Sequence, residues 1–146
     1  MFTRVIVALV ALVVAFAILG ADSQAVLHRV PPSVTSPMSG RQMFSSYCSS
    51  CHGADGRGSG PAGAALKVAP PDLTRLTSRN HGKYPEFRVF GSIQGDPNMP
   101  VSHGSKELPV WGDVFQSMSH ADGAATQKRV ANLTAYIRSL QSLQGK

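Results

Sequence analysis

The chain has 146 residues, of which 42% are hydrophobic, 15% charged and 7% aromatic. This composition is typical of one soluble globular domain, and it excludes a multidomain machine, a disordered polar tract and a polytopic membrane protein. Fourteen lysine and arginine residues against eight aspartate and glutamate residues give a net charge of +6. A basic chain favours acidic partners or an anionic surface.

The first 25 residues predict an export signal. Arg4 supplies a positive start, residues 5–19 are uninterruptedly apolar, and small residues lead up to Ala25. Cleavage after Ala25 is the first interpretation, and an uncleaved membrane tether over residues 5–21 is the alternative. Both place the rest of the chain in the periplasm or on the outer face of the cytoplasmic membrane.

Residues 26–39 contain three prolines among serine and threonine, without helical or alternating periodicity. This composition predicts a linker, either a loose arm or a spacer. The folded domain is then expected over residues 40–143. Its first helix is indicated by Gly40, Met43, Phe44 and Tyr47, which follow the spacing i, i+3, i+4, i+7.

The most specific motif is Cys48-Ser49-Ser50-Cys51-His52, which contains both cysteines of the chain. Two sulfurs three residues apart share one face of a helical turn, where they can add to the two vinyl groups of a haem. The adjacent histidine can then ligate the iron. The motif predicts one haem c attached through Cys48 and Cys51, with His52 as an axial ligand.

Other interpretations of the two cysteines are weaker. A thioredoxin-like pair belongs beside a βαβ pattern, and no alternating strand pattern occurs in residues 40–143. A structural zinc site requires four ligands, typically two such pairs. A disulfide across two intervening residues closes a loop too short to stabilise the fold.

The run from Cys48 to Pro61, CSSCHGADGRGSGP, closely resembles the CHGxxGxGxGP opening of small bacterial class I c-type cytochromes. Four later pieces resemble the same group: PPDLT (70–74), HG (103–104), PVWG (109–112) and YIRSL (136–140). The resemblance covers residues 40–143. It implies an all-α, cytochrome c-like fold of three to five helices around one covalently bound haem, with electron transfer as the function.

The resemblance also implies that the glycine-rich run 53–63 is a tight loop beneath the proximal histidine. In the family, the carbonyl of Pro61 would accept the proton of His52 Nδ1, which makes Nε2 the iron ligand. Pro70 or Pro71 is the alternative acceptor. Five basic residues follow between the motif and the middle helix, and some could ring the haem edge and attract an acidic partner: Arg57, Lys67, Arg75, Arg79 and Lys83.

A middle helix is expected from Pro85 to Ile93, with Phe87, Phe90 and Ile93 facing the haem or the core. The last helix is expected from about Ala125. Its apolar stripe is Val130, Leu133, Ile137 and Leu140. In the resembled family this helix crosses the first one, and the absent side chain of Gly40 would permit a close crossing.

The sixth ligand of the iron falls in a part of the chain that departs from the family pattern. Many relatives carry methionine directly before Pro-Val-Trp-Gly, and this chain has Leu108 there, which cannot ligate iron. Met99, followed by Pro100, is the preferred substitute, and a thioether would raise the reduction potential. His103, Met118 and an open position remain as alternatives. Trp111 is interpreted as a wall of the haem pocket, and plain core packing is the alternative.

These expectations combine into an exported monohaem c-type cytochrome that carries single electrons between membrane-bound respiratory complexes with acidic docking patches. No general base, nucleophile or substrate pocket is indicated, so the chain is interpreted as an electron carrier and not as an enzyme. No nucleic-acid partner is expected. Two alternatives stay open: an open-site haem protein acting as a gas sensor or weak peroxidase, and a cytochrome c subunit of a larger oxidase or dehydrogenase complex.

Overall fold

The computed structural model describes residues 32–99 and 109–141, and within these ranges it contains five helices and no strand. The all-α prediction is therefore confirmed. Helix α1 consists of three consecutive segments, an α-helical turn Gly40–Met43, a π-helical turn Phe44–Cys48 and an α-helical turn Ser49–His52. The others are α2 (Leu76–Arg79), α3 (Glu86–Gln94), α4 (Trp111–Met118) and α5 (Gly123–Ser139). Short 3-10 turns occur at Gly63–Ala65 and Leu73–Arg75.

Helix α1 begins where the sequence predicts it. The Ser39 hydroxyl caps the helix by accepting a hydrogen bond from the backbone N–H of Gln42 at 3.1 Å. Met43, Phe44 and Tyr47 are all buried, as their spacing predicts. Because one turn is π-helical, the helix is locally widened just before the first cysteine.

Helix α5 crosses α1 at Gly40. A Cβ atom built on Gly40 would collide with the carbonyl oxygen of Asn132 and lie 2.8 Å from Tyr136 Cβ. Glycine is therefore the residue that this crossing requires, which confirms the predicted contact of the two helices. Helix α5 begins at Gly123, two residues before the expected start, because Asp122 accepts hydrogen bonds from the N–H groups of the next turn.

Helix α3 runs antiparallel to α5. The Tyr84 hydroxyl, just before α3, donates to the carbonyl of Thr134 at 2.9 Å, and at the far end Gln127 Nε2 donates to Gln94 Oε1 at 3.4 Å. Of the side chains expected to face inwards, Ile93 is buried and Phe90 is half-buried against the core. Phe87, however, is 88% exposed, so the expectation that it faces the core is wrong for this residue in the structure.

Helix α4 was not anticipated from the sequence. Its residues Trp111, Phe115 and Met118 follow helical spacing and pack on the core. Gly112 lets the start of α4 approach the backbone of Gln94 closely, since a Cβ built on Gly112 would lie 2.9 Å from the Gln94 carbonyl carbon. The eight-residue segment is too short for its periodicity to stand out beside Pro109, and its helical state depends on this packing.

The segment before α1 lies against the domain, although its composition predicts a linker. Arg129 Nη1 donates to Thr35 Oγ1 at 3.2 Å, Thr35 lies 2.7 Å from the Tyr47 hydroxyl, and that hydroxyl donates to the Ser33 carbonyl at 2.6 Å. Asn132 Nδ2 also donates to the Pro37 carbonyl at 2.8 Å. Residues 32–39 form an arm that packs against the domain through polar contacts. The sequence did not predict these contacts because they follow no helical or strand spacing.

The core lies between α1, α3, α4 and α5. Nine buried hydrophobic side chains build it: Met43, Phe44, Tyr47, Val89, Ile93, Phe115, Val130, Leu133 and Ile137. No helix in residues 32–99 and 109–141 has the length and apolar character needed to cross a bilayer. The expected export signal and the first six residues of the expected linker, 26–31, lie outside the described residues, as do the last two of the predicted domain, 142 and 143.

Candidate functional site

The two cysteines lie one turn apart at the end of α1. Cys48 closes the π-helical turn and Cys51 lies in the α-helical turn that follows, and neither forms a disulfide. Burial, with a further contribution from Cys51, raises the pKa of the Cys48 thiol to about 12. A dithiol that exchanges disulfides needs a lowered thiol pKa, so this environment does not suit a thioredoxin-like pair.

The neighbouring His52 is 8% exposed, and its ring is oriented by the chain. Its Nδ1 lies 3.2 Å from the carbonyl oxygen of Pro71. Because a carbonyl only accepts, Nδ1 carries the proton, and Nε2 is then the nitrogen that can ligate a metal.

The acceptor is thus Pro71, one of the two alternatives, and not Pro61 as the resemblance implies. Gly58, at φ +90°, allows the 70–71 segment to pass close by, since a Cβ there would collide with the Pro70 carbonyl. This close approach brings Pro71 beneath the imidazole. Pro61 is exposed and borders an open surface pocket together with Ser49, Ser50 and Asp55.

The glycine-rich run folds back along the end of α1. Backbone N–H groups of Gly58, Gly60 and Ala62 donate to the carbonyls of His52, Cys51 and Ser50 at 2.7, 3.0 and 2.8 Å. These carbonyls belong to the last turn of α1, where the helix itself supplies no donors. The loop therefore fixes the backbone that carries both thiols and the imidazole.

The described methionines have different surroundings. Met99 is half-buried and packs against α3, where a Cβ on Gly91 would lie 2.6 Å from its Cγ. The sulfur of Met118 lies 3.8 Å from the Tyr47 hydroxyl, and the half-buried side chain packs against the core. Met43 is fully buried between α1 and α5, close to Arg129. His103 and Leu108 lie outside the described residues.

Trp111 is half-buried and packs on aromatic neighbours. Its ring stacks on Tyr47 with centroids 5.1 Å apart and lies 5.8 Å from the ring of Phe115. The structure thus places Trp111 directly beside the residue that precedes Cys48. The Trp111 side chain packs against the core and stays partly exposed to solvent.

The five basic residues between the motif and α3 are exposed, and the charges of two of them affect the pKa of Asp72. Partial burial acts to raise the pKa of the Asp72 carboxyl, but hydrogen bonds from Thr74 and the charges of Arg79 and Arg57 hold it below its usual range. Asp72 accepts from Thr74 N at 2.9 Å and from Thr74 Oγ1 at 2.7 Å. These bonds fix the turn directly after Pro71.

Together these residues suit a covalently attached haem. Two thiols lie on one helix, an imidazole is oriented through Nδ1, and a loop braces the backbone that carries them. In residues 32–99 and 109–141, no three histidine, cysteine or acidic side chains converge into a metal site of their own. Sequence reasoning missed Tyr47 as the link between the arm and this helix, because its spacing indicates only a core position.

The comparison with protein families agrees with this geometry. The family model described as Cytochrome c matches residues 38–141, most of the chain. No curated protein and no solved structure gives a significant match.

Proposed function

The chain belongs to the cytochrome c family, and from this membership and the geometry of α1 we propose that it is a class I type monohaem cytochrome carrying single electrons. The observation that carries the proposal is the placement of Cys48, Cys51 and His52 on one short helix with the imidazole oriented by Pro71. The haem, when bound, supplies an iron that cycles between two oxidation states. The chain holds and orients it.

Each residue has a separate task in this proposal. The Sγ atoms of Cys48 and Cys51 would form thioether bonds to the haem by adding to its vinyl groups, and His52 Nε2 would ligate the iron. The Nδ1–H bond to Pro71 fixes the ring plane and increases the basicity of the ligand. The hydrogen bonds of the glycine loop keep the three side chains in register while the oxidation state changes.

Covalent attachment is tested first. The purified protein from a host competent in cytochrome maturation should weigh one haem more than its polypeptide. Cys48→Ala and Cys51→Ala should each lose the two-point attachment and most of the folded population, because about a hundred residues with a small core need this staple. A colourless protein of bare polypeptide mass with an oxidised thiol pair would overturn the proposal.

Met99 is proposed as the sixth ligand, with Trp111 as a wall of the pocket. The surroundings of Met43 and Met118 support this choice, since the Met43 sulfur is buried near Arg129 and the Met118 sulfur packs against Tyr47. A thioether ligand favours ferrous iron and thereby a higher potential. The carrier would then exchange electrons with partners of high potential.

The ligand is tested by the weak long-wavelength band of the ferric protein, which reports sulfur bound to iron. Met99→Ala should abolish the band, and the matched variant Met118→Ala should retain it. If the wild type lacks the band and binds cyanide or carbon monoxide readily at neutral pH, the iron is open. The absence of methionine at Leu108 favours this second function, an open-site haem protein that senses a gas or acts as a weak peroxidase.

Export and respiratory partners complete the proposal. The apolar run of residues 5–19 and the requirement of haem attachment for a compartment outside the cytoplasm support a periplasmic location. N-terminal sequencing of the protein recovered from cell fractions should show a start at Val26, whereas a start at Met1 in the membrane fraction would indicate the tether. Stable co-purification with an oxidase or dehydrogenase would instead identify the chain as its subunit.

A further inference from the structure

One cation of the chain is buried in the core. The Arg129 side chain, in the first half of α5, is 4% exposed, whereas every other lysine and arginine in the described part of the chain is exposed. Arginine keeps its positive charge even in such surroundings. A charge in the core is unfavourable unless an opposite charge or hydrogen bonds compensate for it.

The charge of Arg129 has no carboxylate partner. Two ion pairs form in the part of the chain that the structure describes, both at the surface, and neither includes this residue. Arg129 Nη1 donates to Thr35 Oγ1 at 3.2 Å and lies 3.9 Å from the sulfur of Met43. Its Nε is buried without any hydrogen-bond partner among the described residues. A full positive charge therefore remains in the core.

The hydrogen bond to Thr35 belongs to a chain of bonds that runs in one direction. The Tyr47 hydroxyl has one proton, which it donates to the Ser33 carbonyl at 2.6 Å. Thr35 Oγ1, 2.7 Å away, then donates its own proton to the Tyr47 oxygen and accepts from Arg129. Bonds in such a chain polarise one another. They connect the buried cation to Tyr47, the residue before Cys48.

Arg129 also lies one side-chain layer from the residues that flank the proposed haem site. Its guanidinium is 5.9 Å from the ring centroid of Phe115. That ring is 5.6 Å from the ring of Tyr47 and 5.8 Å from the ring of Trp111, the proposed wall of the pocket. A cation in this position acts through packed side chains, where water and salt screen it far less than at the surface.

We propose that Arg129 is a fixed internal cation that raises the reduction potential of the haem iron. The proposal rests on the proposed function, because it concerns the iron that a bound haem supplies. Oxidation adds one positive charge at the iron, and a nearby fixed cation opposes that charge. Two unit charges about 15 Å apart, at an effective dielectric constant of about 20, change an equilibrium constant by about sixfold. The effect acts through space, so it does not depend on which group is the sixth ligand.

The test measures the reduction potential of the haem-loaded protein by spectroelectrochemistry. Arg129→Met keeps an unbranched side chain and removes the charge. It should lower the potential by about 45 mV, which corresponds to a sixfold change in the ratio of ferrous to ferric protein. The matched control is Lys128→Met, which removes the same charge from the neighbouring exposed position of α5 and should shift the potential far less. Equal shifts would show that only net charge matters, and the proposal would be wrong.

Ionic strength distinguishes a buried charge from a surface charge. The difference in potential between Arg129→Met and wild type should persist between about 0.01 M and about 1 M salt, although the Debye length falls from about 30 Å to about 3 Å. A difference that disappears at the higher salt concentration would contradict the proposal. Arg129→Gln, which keeps a donor for Thr35 without the charge, should lower the potential by a similar amount and replaces Arg129→Met if that variant does not fold.

A purely structural role of Arg129, the anchoring of residues 32–39, predicts a different result. Thr35→Val removes the hydroxyl that Arg129 binds and keeps the charge. It should increase hydrogen exchange in residues 33–39 and leave the potential close to that of wild type. If Thr35→Val lowers the potential as much as Arg129→Met does, the packing of the arm sets the potential and the proposal is wrong.

The proposed function is read from separate measurements. The mass of the wild-type protein and its reversible reduction show whether a haem is attached and whether it exchanges electrons. A wild type without haem would overturn the proposed function. A haem-loaded wild type whose potential does not change in Arg129→Met and Arg129→Gln would contradict only the role of Arg129.

Discussion

The two sides of α1 are completed in different ways. On one side Gly40, Met43 and Phe44 pack against α5, where the contact is so close that a single methyl group would collide with Asn132. On the other side Cys48 and Cys51 are only half-buried, although His52 beside them is oriented by Pro71. The packing of α1 against α5 is made entirely by protein atoms. On the other side of α1, the chain provides the two thiols and the imidazole that would attach the haem.

This difference indicates two sources of folding free energy in this small domain, the packing of its helices and the attached cofactor. The nine buried hydrophobic side chains all belong to the packing of α1, α3, α4 and α5 against one another. About a hundred residues with a core of this size are marginally stable alone. We therefore expect the cofactor to contribute a large share of the folding free energy, and variants on the protein-packed side to change stability while leaving the haem spectrum unaltered.

The largest effect on the protein-packed side is expected at Gly40. Gly40→Ala should lower the unfolding free energy of the haem-loaded protein by about 2 kcal/mol, because the methyl group forces α1 away from α5. The matched control is Gly123→Ala, since nothing lies within 4 Å of a Cβ there. Chemical denaturation measures both. Equal stability of the two variants would mean that the crossing has room for a side chain.

A smaller effect is expected where the arm meets α1. Tyr47→Phe removes the hydroxyl that lies between Thr35 and the Ser33 carbonyl, and should cost about 1 to 2 kcal/mol. Hydrogen exchange in residues 33–39 should rise strongly. Tyr84→Phe, which loses one bond to Thr134, should cost about 1 kcal/mol and leave exchange in the arm unchanged. An arm equally protected in both variants would show that other contacts hold it.

The smallest effect concerns the turn that orients His52. Since the pKa of the Asp72 carboxyl is lowered in the folded protein, its ionised form stabilises the fold above the usual value of 3.8, and this stabilisation is lost as the pH falls below it. Asp72→Asn should therefore lower stability at neutral pH by about 0.5 kcal/mol. The difference from wild type should shrink as the pH falls from about 5 to about 3. A constant difference would contradict this account.

Helices α1, α3 and α5 could be predicted because their apolar residues recur at helical spacing. The attachment motif was equally accessible, since it is contiguous and the chemistry of two thiols and an imidazole depends on local spacing. Helix α4 escaped notice because its eight residues form a helix largely through contacts with Gln94 and Tyr47. Short helices derive most of their stability from such packing.

The sequence by itself determined which residues can attach a haem and where α1, α3 and α5 lie, because both depend on neighbours within one or two turns. The crossing of α1 and α5 was implied by the family resemblance. Only the tertiary structure decided that Pro71 orients His52, that residues 32–39 dock on Tyr47 and that Phe87 faces outwards. In the first two cases, segments that are distant in sequence meet through a polar contact. In the third, no other segment of the described chain covers the side chain. Hydrogen bonds of this kind form where the folded backbone brings distant polar groups together, and the spacing of apolar residues in the sequence does not predict where that happens.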